Sequence, residues 1–189
     1  MAYSDSIQGW FTYKQLYHNM VANSTLDFQW LEIGIWKGAS IIYAAEMANL
    51  FHKDITFWAV DTWAGSNEKE HQDYIQSIGG PDGLFNEFCQ NVINAKVNNR
   101  IKIVRLSSLE ASIHFQNEQL DFLFVDGSHE YQDVKNDLLA WKDKVKKNGQ
   151  LWGHDSDWPD VQKALNEVFP SRWTKHGDCW QADLTPRIN

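Results

Sequence analysis

The residues equipped for chemistry recur at similar places along the chain. Glu32, Asp61, Ser107, Asp126 and Asp155 each follow an apolar run that reads as a strand, and His129 and His154 lie close by. Carboxylates accept hydrogen bonds from hydroxyl groups, and an imidazole with an unperturbed pKa of about 6.5 takes a proton near neutrality. Gly34 and Gly38 follow Glu32 and precede a run of small residues at 39–51. A strand, a tight turn and a helix N-terminus in this order present free backbone N–H groups and let a ligand approach the chain closely. The set can bind a polar molecule with hydroxyl groups and move a proton.

Residue identity excludes the commoner phosphate-binding turns. G-x-G-x-x-G counted from Gly34 needs glycines at 36 and 39, where Trp36 and Ala39 stand. G-x-x-x-x-G-K-[ST] is absent. Asp61 follows Gly38 by about 20 residues and ends the next apolar strand, a position suited to ribose hydroxyls.

Positioning these side chains requires alternating strands and helices. Strands are predicted over 28–33, 55–60, 100–106, 120–126 and 150–153, and a terminal hairpin over 172–184 turns at His176-Gly177-Asp178. Helices are expected between them. One has Leu84, Phe85, Phe88, Val92 and Ile93 on a face. Another carries Tyr131, Val134, Leu138, Trp141 and Val145 and is stopped by Asn148-Gly149. A third opens at Pro159. An N-terminal helix, capped by Thr12 with Gln15 completing a capping box, shows the stripe Tyr13, Leu16, Tyr17, Met20 and Val21. It lies outside the repeating pattern and is either a lid over the site or core packing. Residues 62–82 form a long polar segment, read as part of the substrate entrance with a short helix near 71–77. The result is a mostly parallel three-layer α/β sheet with an antiparallel C-terminal hairpin strand. Ligands of such sheets bind beyond the carboxyl ends of the strands, where strand order reverses.

At 189 residues the chain is read as one domain, 1–189, with 1–28 as a helical cap segment. A net charge of −8 argues against nucleic acid, because phosphates require clustered cations. The one basic knot, 142–147, is assigned to a helix C-terminus. No apolar run is long enough for a membrane span, and no signal pattern opens the sequence. Two distant cysteines, Cys89 and Cys179, give neither a disulfide framework nor a CxxC site, which fits the cytoplasm. A homodimer is the assembly entertained.

Glu32-Ile33-Gly34-Ile35-Trp36-Lys37-Gly38-Ala39-Ser40, Val60-Asp61, Val125-Asp126-Gly127-Ser128-His129 and Gly153-His154-Asp155 together resemble small class I S-adenosylmethionine (SAM) methyltransferases. The nearest likeness is to the group of macrocin O-methyltransferase and cephalosporin-hydroxylase-like proteins, over about residues 30–170. The resemblance implies a Rossmann-like SAM methyltransferase fold with SAM as cofactor. It places Ser40 and the turn around Gly34 on the methionine carboxylate, Trp36 beside the methionine portion, Asp61 on ribose, and Ser107 and Ser108 near adenine, with Glu32 and Gly38 also in the cofactor-binding set. Asp126 joins both the cofactor and the catalytic set.

Relatives often hold a divalent metal at the fourth and fifth strand tips, here Asp126, His154 and Asp155. Mg2+ or Mn2+ is expected first, although His154 stands where relatives commonly have an acid, and an imidazole suits zinc, iron or manganese better than magnesium. His129 is the candidate general base, with Asp126 and Asp155 completing the catalytic set. The activity implied is O-methylation of a small hydroxylated molecule, a sugar or a secondary metabolite. Two other readings stay open: a SAM- or nucleotide-binding module without turnover, and a metal-dependent hydrolase or hydroxylase.

Overall fold

A computed structural model describes residues 2–185. Five strands run parallel: β1 (Phe28–Ile33), β2 (Ile55–Val60), β3 (Ile101–Val104), β4 (Leu120–Val125) and β5 (Val145–Gly153). The hairpin β6 (Trp173–His176) and β7 (Cys179–Ala182) adds β7 antiparallel to β5. The order is β3-β2-β1-β4-β5-β7-β6, so direction of winding reverses between β1 and β4.

Helices cover both faces, and strand alternation assigns each side chain to one of them. Trp30, Phe57, Phe122 and Phe124 face α1 (Lys14–Asn23), α2 (Ala39–Leu50) and α4 (Pro81–Asn94). Leu31, Ile33, Leu123 and Val125 face α5 (Ser108–Ser112), α6 (Tyr131–Trp141) and α7 (Pro159–Val168). Glu32 shares its parity with Trp30, so its carboxylate enters the first core, fully buried. The segment after β2 contains a short helix, α3 (Lys69–Ser77).

Three expectations are corrected. The helix after β4 ends at Trp141, and Val145 belongs to β5, paired with Leu120; its spacing from Trp141 imitates one more helical turn. Asn148-Gly149 therefore lies within an irregular stretch of β5, where a Cβ on Gly149 would stand 2.9 Å from the Leu120 and Asp121 carbonyl oxygens. The basic knot spans a 3-10 turn and the start of β5, where Lys146 pairs with Asp121 at 2.8 Å. The capping box is not formed either. Helix α1 has Tyr13 at its N-cap without a side-chain cap, Thr12 turns toward Asp178, and Gln15 bonds Asn19. Tyr17 and Val21 are fully buried, so α1 packs as core.

Candidate active site

The β1–α2 turn is held by the protein's own polar groups. Gly34 and Gly38 have φ of 84° and 90°, in the left-handed region. A Cβ on Gly34 would lie 1.9 Å from the Asp126 carbonyl oxygen, so only a glycine lets the β1–α2 turn pass this close to the end of β4 at the switch point. Beside Gly38 the space is filled by Phe88. Glu32 accepts hydrogen bonds from Tyr17 Oη at 2.9 Å and from Ser40 Oγ. Burial pushes its pKa up to about 8 against those two donors. Ser40 thus directs its hydroxyl inward and offers a ligand only its backbone.

Asp61 Oδ2 accepts from the Ile35 and Trp36 N–H groups at 2.7 and 3.1 Å, and Oδ1 from Trp63 N–H at 2.7 Å. Burial raises its pKa while these N–H groups oppose the shift. An ionised carboxylate has about four acceptor sites, which leaves about one for a ligand hydroxyl. Trp36 bonds Gln8 through Nε1 at 3.0 Å and packs against Trp10 and His71. Ser107 caps α5 in a box with Glu110, and Ser108 accepts from Trp141 Nε1 at 2.7 Å. Neither serine makes a polar contact with Asp126, His154 or Asp155 among the described residues.

Beyond β4 and β5 the groups are titratable and bonded chiefly to one another. His154 Nδ1 lies 3.4 Å from Asp126 and 3.1 Å from Asp155, and its Nε2 lies 3.2 Å from Asp178. Burial opposes its charge, but the bonds to Asp126 and Asp155 outweigh it and lift the pKa to about 11. His129 Nε2 lies 2.9 Å from Asp155, and Nδ1 lies 3.4 Å from Glu68. The Asp155 bond raises the His129 pKa despite burial. Burial works to raise Asp155, yet both histidines hold it well below the usual carboxylate range. Tyr13 Oη donates to Asp126 at 2.7 Å, and burial keeps the phenol protonated.

The structure thus brings Asp126, His129, His154 and Asp155 together. Ligand atoms of Asp126, His154 and Asp155 all lie within 4.8 Å of one another. Two carboxylate oxygens and an imidazole nitrogen form a donor set suited to Mn2+, Fe2+ or Zn2+. The hollow they share with His129 and Trp180 measures about 10 Å³, roughly the room of one water. Sequence reasoning missed Thr12, Tyr13, Glu68 and Asp178. Tyr13 was legible only as part of an apolar stripe, and Asp178 only as a turn residue.

Residues 31–156 match the family described as "Methyltransferase domain". The chain belongs to this family. It is a SAM-dependent methyltransferase with the Rossmann-like fold of that group. No curated protein matches the sequence of this methyltransferase. Among solved structures it is similar to the O-methyltransferase NovP at 16% identity and TM-score 0.66, covering 92% of this chain and 79% of that one. Cofactor-bound Rv0187 from MTB aligns at 13% and 0.65, over 98% and 88%. CalS11, a TDP-rhamnose 3'-O-methyltransferase of calicheamicin biosynthesis, aligns at 14% and 0.59, over 90% and 76%. Among the described residues no helix is long and apolar enough to cross a membrane.

Proposed function

We propose that this methyltransferase acts in the cytoplasm on a hydroxyl group of a small molecule, a sugar or a secondary metabolite, with a divalent metal at Asp126, His154 and Asp155. The observation that carries the reading is the convergence of those three residues and His129 beside the glycine turn, at the reversal of strand order. The sugar assignment draws on CalS11, which acts on TDP-rhamnose.

SAM supplies an electrophilic methyl group on its sulfonium. The acceptor oxygen forms the new C–O bond while the C–S bond breaks, and sulfur keeps that electron pair, leaving S-adenosylhomocysteine. A metal, when bound, supplies positive charge that lowers the acceptor's pKa. His129 removes the hydroxyl proton. Asp155 holds the Nε2 side of its ring, which leaves Nδ1, on the side of Glu68, as the accepting atom. On the cofactor side, the Ile33–Ser40 turn and the remaining acceptor site of Asp61 meet the methionine and ribose groups. Trp36 lies beside the methionine portion, and Ser107 and Ser108 mark the adenine end. Trp10, half exposed, packs over Trp36 and His71 at this edge.

The test is methyl transfer from isotope-labelled SAM to a panel of hydroxylated sugars and phenols. His129→Ala lowers turnover about 100-fold or more, with SAM affinity by calorimetry nearly unchanged. An unaltered rate removes His129 from the mechanism.

A further inference from the structure

Asp178 sits in the turn between β6 and β7, after the residues the family match covers. Its placement is firm. Its backbone carbonyl accepts from Ser156 N–H at 2.9 Å, the neighbouring Gly177 carbonyl accepts from Ser156 Oγ at 3.1 Å, and Trp180 Nε1 donates to the His154 carbonyl at 2.9 Å. The hairpin turn is thereby stapled to the loop that carries His154 and Asp155.

The hydrogen-bond inventory around His154 Nε2 fixes a proton on that atom. Thr12 Oγ1 donates its single proton to Asp178 Oδ2 and lies 3.3 Å from Nε2. Asp178 Oδ2, an ionised acceptor with no proton to give, lies 3.2 Å from the same nitrogen. Neither partner can donate to Nε2, so Nε2 carries N–H and donates to them. Nδ1 is then the atom that can give up its proton and offer a lone pair, and it points between Asp126 and Asp155. A metal-binding histidine typically gives its other ring N–H to a carboxylate, which sets tautomer and ring orientation.

We infer that Asp178, braced by the Thr12 hydroxyl, is the positioning residue that aims His154 Nδ1 at the metal. The inference rests on the metal reading above. It assigns a role to two residues from opposite ends of the chain, neither of which touches the ion.

The experiment is titration calorimetry with Mn2+ alone at one fixed pH, on wild type, Asp178→Ala, Asp178→Asn, Thr12→Val and Asp126→Ala. Asp178→Ala weakens Mn2+ binding about 10–100-fold. Asp178→Asn, which retains an acceptor oxygen for Nε2–H, recovers part of that loss, and Thr12→Val shows a smaller weakening than Asp178→Ala. The metal-free Asp178→Ala protein melts with the wild type, which separates aiming of the ring from folding. Binding weakened by Asp126→Ala but within about twofold of wild type in Asp178→Ala would overturn the role of Asp178 alone. No saturable binding by wild type, or binding untouched by Asp126→Ala, overturns the metal reading and this role with it.

Discussion

The two halves of the site use similar residue types in opposite ways. At the β1–α2 turn, Glu32, Ser40 and Asp61 bond to backbone N–H groups, a phenol and each other's elements, all within the fold. Across the switch point, Asp126, Asp155 and Asp178 take their ion-pair partners from His129 and His154, with no lysine or arginine among the described residues. Carboxylates bonded to backbone N–H groups, as Asp61 is, or to buried hydroxyls, as Glu32 is, make a rigid cradle. Imidazoles can give up a proton, so carboxylates bonded to them can exchange that proton for another cation. Architecture is concentrated in the first half and reactivity in the second.

The sharpest way to break this contrast is Gly34→Ala. A Cβ 1.9 Å from the Asp126 carbonyl, at φ of 84°, cannot be accommodated, and a loss of about 4 kcal/mol or more is expected in denaturant unfolding. Asp155→Ala acts on the other half. It removes the carboxylate that both histidines share and lowers turnover about 100- to 1,000-fold, with SAM affinity retained. Asp61→Ala reverses that pattern: SAM affinity by calorimetry falls about tenfold as three N–H groups lose their acceptor.

A pH series sharpens the contrast further. His154 is raised from 6.5 to about 11, so it stabilises the metal-free fold fully below pH 6.5 and loses that contribution as pH rises through 11. Unfolding free energy of His154→Asn should therefore decline less across that window than that of wild type. The smallest effect is expected from Ser107→Ala, which removes a helix cap at a cost of about 1 kcal/mol. If SAM affinity also drops there, Ser107 reaches the adenine end; if only stability drops, it is a cap.

Much of this was legible from residue order. Largely apolar runs ending in Glu32, Asp61 and Asp126 located the parallel strands and the edge where they end, because a strand buried on both faces is apolar through its middle and polar at its tip. The start of β5 was illegible for a local reason: Trp141 and Val145 are spaced like neighbours on a helix, and only the pairing of Val145 with Leu120 distinguishes a strand. Thr12, Tyr13, Glu68 and Asp178 were hidden because their partners are remote in sequence. Tyr13 reads as apolar by its ring and acts through its hydroxyl, which bonds a residue 113 positions away.

The brace on His154 has a consequence for descent. Thr12 and Asp178 both fall outside the matched span, 31–156. A relative that matches over the inner strands alone need not carry this brace, so under the metal reading the ion preference can differ between proteins that share the interior. A chimera that kept the interior and borrowed both ends from a cousin would be a direct way to transplant that preference.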